Sequence, residues 1–252
     1  MKKKPWYNYW NPPYKSDEPN YFPSENFAWA QTVKKYYPQI KKELLDLINE
    51  RNGQLFPYYS KAVNTNAEDW QTLAFKTWGI DVPDNLNKCP SVKKLLNEIP
   101  QMVSASVNML MPNSELALHQ GDSDSFYRCH LGISIPATYP DMAFEVEGEP
   151  KSWEEGEILI FLDAKNHRAW NKANKIRIIF VFDIIKDEYL VQKEEICFNV
   201  RAFLLLQWID SKFKGFDKLP KWIHRCVFVV IKQFLRLIYP YQRKKGVILN
   251  HS

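Results

Sequence analysis

At 252 residues, with 45% hydrophobic and 25% charged side chains, the chain is long enough to bury a substantial core and is not a disordered segment. Its four cysteines (Cys89, Cys129, Cys197, Cys226) follow neither metal-ligand nor disulfide-framework spacing, which argues against a zinc module and suits a reducing cytoplasm. Residues 201–252 hold eleven Lys+Arg against two acids, a balance of +9 within a total of +5, which leaves a mildly acidic body carrying −4.

Met1-Lys-Lys-Lys starts as a signal peptide does, but Pro5–Pro13 supplies no apolar segment behind it, so no leader is predicted. Residues 1–27, rich in Pro, Asn and aromatics without periodicity, read as an arm laid over the domain or a mobile terminus. Phe27–Asn52 has helical spacing, with Leu44, Leu45, Leu47 and Ile48 on the buried side and a kink or break expected at Pro38. Gln54–Thr72 reads as irregular, and Ser91–Glu98 as a short helix between Pro90 and Pro100. Short runs rich in β-branched and aromatic residues follow: Val103–Met109, Glu115–His119, Arg128–Ile135, Met142–Val146, Glu157–Asp163 and Lys175–Ile185. Pro, Gly, Asn or Asp punctuates their gaps, and the pattern predicts an all-β sandwich or jelly roll.

Lys186–Lys193 reads as a polar linker. Phe198–Phe213 and Leu219–Tyr239 read as helices, the second interrupted by Arg225, Lys232 and Arg236, so about 20 unbroken apolar residues are not reached. Two readings of this basic tail stand side by side. It is a membrane-surface element over 198–245, or it packs on the β core with a solvated cationic face. Cations interleaved with large aliphatics suit lipid better than nucleic acid, and no nucleic-acid partner is predicted. The expected organisation is 1–100 as arm and helices, 101–187 as β core, and 194–252 as helical tail.

Within the β core, Arg128 and His130 share one strand face while Cys129 looks the other way. Arg177 interrupts the apolar strand Ile-Arg-Ile-Ile-Phe-Val-Phe, where a guanidinium is costly unless it meets an anion. His119 and His167, 48 residues apart, could hold a transition metal if their strands meet.

His119-Gln-Gly, Arg128-Cys-His130-Leu-Gly-Ile-Ser-Ile-Pro136, Ser152-Trp-Glu-Glu-Gly-Glu-Ile-Leu-Ile-Phe161, His167-Arg-Ala-Trp170 and Arg177-Ile-Ile-Phe-Val-Phe-Asp183 occur in order. Together they resemble the aspartyl/asparaginyl β-hydroxylase family of iron(II)- and 2-oxoglutarate-dependent dioxygenases. Trp78-Gly and Cys89-Pro through Ile99-Pro100 resemble its bacterial branch, which includes lipid A hydroxylases. The resemblance implies a mainly β fold: a double-stranded β-helix core with N-terminal helices and a C-terminal helical appendage.

It further implies Fe(II), 2-oxoglutarate and O₂ as cofactor and cosubstrates, with His119 and His167 as metal ligands and catalytic centre. Arg177 would anchor the distal carboxylate of 2-oxoglutarate, with His130, Arg128, Asn108 and Trp70 as further cosubstrate contacts. Gly121 stands where a His-X-Asp/Glu site carries its carboxylate, as in the family's aspartyl hydroxylases and unlike its lipid branch. Asp122 is a weak candidate for that missing ligand or for substrate contact, and Asp124 an ordinary loop residue. Trp153 and Trp170 are expected to be packing residues. The implied reaction consumes 2-oxoglutarate and O₂, releases succinate and CO₂, and hydroxylates an unactivated carbon. Gly121 points to the β-carbon of an Asp/Asn-type residue, free or in a peptide, whose carboxylate Arg128 could recognise. The basic tail points instead to a membrane-lipid acyl chain of the lipid A or ornithine-lipid type, with the enzyme peripheral at the inner face of the membrane. A non-catalytic binding module would not need His119, His167 and Arg177 together.

Overall fold

The computed structural model describes residues 3–58 and 66–246. Among the described residues twelve strands are formed: β1 (Tyr21–Phe22), β2 (Phe56–Pro57), β3 (Trp70–Thr77), β4 (Ile80–Asp81), β5 (Met102–Leu110), β6 (Ser114–His119), β7 (Phe126–Ser134), β8 (Met142–Val146), β9 (Glu149–Lys151), β10 (Ile158–Leu162), β11 (His167–Asn171) and β12 (Arg177–Ile185). The larger sheet runs β1-β10-β7-β12-β5-β3-β2, with β4 paired to β3, and the smaller runs β6-β11-β8-β9. From β5 onward the chain passes back and forth between the two sheets, and every strand pairing is antiparallel. This is a double-stranded β-helix.

β12 shows how alternation builds two cores from one strand. Ile178, Phe180, Phe182 and Ile184 point outward into a core shared with α1 (Ala28–Glu50) and α3 (Pro90–Glu98). Arg177, Ile179, Val181 and Asp183 point the other way, between the sheets, where Ile179 meets Phe144, Trp153 and Phe161. Both faces are covered, so the strand is apolar almost throughout.

α1 is continuous through Pro38, contrary to the expected break. Pro38 is exposed, so the carbonyl that its missing N–H leaves free can be hydrated. Val33, Ile40 and Leu44 on the opposite side are fully buried, each side chain contributing about 1.5–3 kcal/mol. The span predicted as irregular conceals the start of β3, whose polar Gln71 and Thr72 masked its period. A short helix α2 (Pro83–Lys88) also went unpredicted.

The predicted linker at Lys186–Lys193 is a 3-10 turn over Asp187–Gln192 that buries Tyr189. It leads into α4 (Lys193–Lys212), whose Ile196, Phe198, Val200 and Phe203 pack with Trp78, Val103, Phe126 and Ile185 of the β body. α5 (Lys221–Lys245) returns along α4 through Phe228 and Leu235. The N-terminal arm is ordered against both parts. Trp6 N–H donates to Asp124 at 2.8 Å, Tyr7 bridges to Ser123, and Trp10 stacks edge-on against Phe203 and Phe228. Asp124, which also accepts from the Tyr189 hydroxyl, is thus an anchor for the arm.

Candidate active site

His119 ends β6 and His167 opens β11, and the two are direct cross-strand partners with ring centroids 4.1 Å apart. Each ring donates its Nδ1–H to the backbone carbonyl two residues earlier, His119 to Ala117 at 2.7 Å and His167 to Lys165 at 2.8 Å. That bond fixes the neutral tautomer with Nε2 bare, which is the form a metal takes. Burial lowers the pKa of both rings, and for His167 the neighbouring His119 adds to it. Two neutral imidazoles held by the backbone fit a divalent iron-group ion, which would polarise and activate bound oxygen ligands there. Among the described residues no group of three His, Cys, Asp or Glu side chains stands at metal-ligand spacing.

The missing carboxylate has a physical cause. A Cβ placed on Gly121 would lie 1.8 Å from Oδ2 of Asp163, so any side chain at 121 collides with a carboxylate coming from the end of β10. Asp163 is fully buried. Its carboxylate accepts from the Asp122 N–H at 3.0 Å and from Arg128 Nη1, and its Oδ1 lies 3.8 Å from Nε2 of His167.

Arg128 corrects an expectation. It pairs across the sheet with Asp183, donating from Nε at 2.9 Å and Nη2 at 3.2 Å, while Nη1 holds Asp163. Its charge is met by two buried aspartates, so it is not the free cation that a cosubstrate or substrate carboxylate would need. The Asp122 side chain hydrogen-bonds Gln207 of α4, and burial, then the charge of Asp163, raises its pKa to about 7.

Arg177 behaves in the opposite way from Arg128. It is 2% exposed, and among the described residues it makes no ion pair and its Nε has no hydrogen-bond partner. Its guanidinium lies 4.6 Å over the Trp153 ring, and burial pulls its pKa down to about 9. Trp70, Leu110 and Arg177 are in register across β3, β5 and β12, and Thr72, Asn108 and Ile179 form the next row on the same face. Asn108 donates to Ser106 and leaves Oδ1 buried without a partner. Trp70 stacks on Tyr58 at 3.8 Å and leaves its buried Nε1–H unpartnered. His130, walled by Phe144, Phe161 and Trp153, accepts from the Trp153 indole at 3.3 Å. Its Nε2 therefore carries the proton and can donate. Burial, then the charges of Arg177 and Arg128, holds its pKa well below the usual imidazole value.

Four buried side-chain polar atoms lack a partner among the described residues: Trp70 Nε1, Asn108 Oδ1, Arg177 Nε and Arg201 Nη1. Natural proteins satisfy nearly all such atoms, so each calls for an explanation. Three of the four sit on one patch between the sheets, around an arginine that lacks an anion. A dicarboxylate with its far end on Arg177 fits that patch.

The family profile described as Aspartyl/Asparaginyl beta-hydroxylase matches residues 34–187. The chain belongs to that family. An ornithine lipid ester-linked acyl 2-hydroxylase from Rhizobium tropici is 30% identical over 175 residues, covering 68% of this chain and 62% of that protein. The human aspartyl/asparaginyl beta-hydroxylase is 24% identical over 169 residues, covering 65% of this chain and 22% of that protein. The chain thus spans less than two thirds of the length of either relative. A solved oxidoreductase of the 2OG-Fe(II) oxygenase family from Burkholderia pseudomallei aligns with a TM-score of 0.39 at 12% identity, covering 61% of this chain and 89% of that one.

In this member of the β-hydroxylase family, sequence reasoning passed over three residues that shape the site. Asp163 was indistinguishable from strand-end punctuation and Asp183 from an ordinary strand residue, and only the cross-strand register reveals them as Arg128's partners. Trp153 was assigned to packing, yet it floors Arg177 and sets the tautomer of His130. Trp170, by contrast, does pack, donating its indole N–H to the Pro140 carbonyl at 2.8 Å.

Proposed function

We propose that the chain is an iron(II)- and 2-oxoglutarate-dependent hydroxylase acting on a fatty-acyl chain of a membrane lipid. The observation that carries the chemistry is the pair of backbone-fixed neutral imidazoles beside Arg177, a buried arginine with no anion among the described residues. His119 and His167 would hold the metal, and Arg177, His130 and Asn108 would bind and orient the cosubstrate. Buried Phe144, Phe161 and Trp153 keep water from its inner end.

Two observations favour an acyl substrate. Arg128 is already neutralised by Asp163 and Asp183, which removes the cation best placed to recognise an aspartyl carboxylate. The helical hairpin also abuts the site's rim. Gln207 of α4 bonds Asp122, Asn8 of the arm donates to the Gln120 carbonyl at 3.0 Å, and the neighbouring Tyr9 hydroxyl meets His224 of α5 at 2.7 Å.

α5 itself carries seven cations and no acid, and exposes Trp222, Val230, Phe234, Leu237 and Tyr241. No helix among the described residues is long and apolar enough to cross a membrane. A cationic helix with an exposed apolar stripe suits an anionic bilayer surface, with peripheral contact of this enzyme there. An Asp/Asn-type residue is the second reading, favoured by Gly121.

The test is turnover of the full chain with Fe(II), 2-oxoglutarate and O₂ on anionic vesicles and on candidate peptides. The lipid reading requires succinate formation together with an acyl product heavier by one oxygen. Hydroxylation of a peptide aspartate with untouched lipid would overturn it.

A further inference from the structure

The fourth orphaned atom lies outside this site. Arg201, on α4, is 8% exposed; Nη2 donates to Gln242 Oε1, and Nη1 has no partner. The ionisable groups that act on it most, Cys197 and Tyr239, are not anions near neutral pH. Burial accordingly pulls the guanidinium's pKa down. Arg201 lines a cavity of about 250 Å³ between the β3–β4 turn and the α4–α5 hairpin, together with Lys76, Lys193, Tyr239 and Arg243. Four cations meet there, against two acids, Asp81 and Glu194, both at the solvent side. Asp81 is engaged by Lys76 at 3.2 Å, while Lys193 donates to the Pro100 carbonyl at 3.0 Å.

The half-buried Arg128 and the buried Arg177 and Arg201 can be compared by the anion each meets. Arg128 holds two buried aspartates, and Arg177 faces the patch suited to a dicarboxylate. Arg201 has the same unmet demand, paired with no acid among the described residues, beside a cavity large enough for a ligand. A buried guanidinium without an anion is costly, and its planar fork is matched to oxyanions. We propose that this cavity is a binding site for a phosphate-type oxyanion, held by Arg201 from within and by Lys193, Arg243 and the Tyr239 hydroxyl nearer the mouth. The oxyanion is either free phosphate or the phosphate of a lipid headgroup delivered along α5. The site is separate from the His119–His167 centre and does not depend on the hydroxylase reading.

The experiment is calorimetric titration of the full chain, without iron, with inorganic phosphate and with short-chain phosphatidic acid below its micellar concentration, at matched ionic strength. An Arg177→Gln background removes binding at the other free guanidinium. Phosphate should bind in that background, and at least tenfold more weakly once Arg201→Gln is added. Arg243→Gln, at the exposed mouth, tests the same site with no buried group changed and should also weaken binding severalfold. Tighter binding of phosphatidic acid than of phosphate identifies the source as a lipid headgroup, and equal affinity identifies free phosphate. No binding of either ligand at millimolar concentration, or wild-type affinity in folded Arg243→Gln and Arg201→Gln, would overturn the proposal.

Discussion

Replacing Arg177 by Gln should have two opposite effects. Burial pulls its pKa from the ordinary guanidinium value down to about 9, and at 1.36 kcal/mol per pKa unit the empty protein bears a cost of up to roughly 5 kcal/mol for keeping this charge. Part of that is recovered by the Trp153 face beneath the guanidinium. Arg177→Gln should therefore raise the Tm of the empty protein by several degrees, since about 1 kcal/mol shifts Tm by ~2–4 °C at this size. The sign of the pH dependence follows. A cation whose folded pKa is depressed weakens the fold fully below about 9, and the penalty is relieved as the pH rises from about 9 toward the ordinary guanidinium value. Wild type should thus gain stability relative to the variant as the pH rises through that window.

The cosubstrate reverses the ranking. Two charge-assisted bonds at about 1.5–3 kcal/mol each predict a loss of 2-oxoglutarate affinity of roughly 10² to 10⁴-fold. Differential scanning fluorimetry with and without 2-oxoglutarate reads both effects. An Arg177→Gln protein that is less stable when empty, yet still stabilised by 2-oxoglutarate, would refute the reasoning.

Further outcomes follow from the same contacts. His167→Ala should abolish iron-dependent succinate formation while the fold, followed by circular dichroism, survives. Gly121→Ala drives a methyl into the Asp163 carboxylate and should destabilise by about 1–3 kcal/mol in urea unfolding; an unchanged midpoint would mean that Asp163 moves freely. Asp183→Asn or Arg128→Ala leaves part of a buried charge set uncompensated and should destabilise by about 3–5 kcal/mol, measured the same way. His119, His130 and His167 have folded pKa values below 6.5, so the unfolded chain takes up protons first and the metal-free protein should lose stability as the pH falls below about 6.5. Leu237→Glu on the exposed face of α5 should release the protein from anionic vesicles in co-sedimentation, with turnover of soluble substrate retained.

The β core was legible because its strands are punctuated by turn residues and filled with β-branched side chains, and the two histidines could be picked out because their segments read as strands. The face of Arg128 followed from alternation, but its partners did not. Asp183 lies 55 residues away and Asp163 lies 35 away, and only strand register decides which carboxylate meets which guanidinium. Periodicity could not foresee that Gly121 is required by Asp163, since the collision exists only once β10 is placed beside the loop after β6. Hydrophobic pattern also could not separate the two tail readings, because α4 and α5 divide them. α4 buries its apolar residues against the β body, while α5 shares one face with α4 and leaves the other uncovered.

The central claim is that His119 and His167 would hold a ferrous ion and Arg177 would bind 2-oxoglutarate, for the O₂-dependent hydroxylation of a lipid acyl carbon. Mass spectrometry of lipid extracted from anionic vesicles after turnover tests it most directly. The account predicts one oxygen added to an acyl chain, matched mole for mole by succinate and absent in His167→Ala and Arg177→Gln. Succinate that never exceeds the level of those two variants, with the lipid mass unchanged, would contradict it.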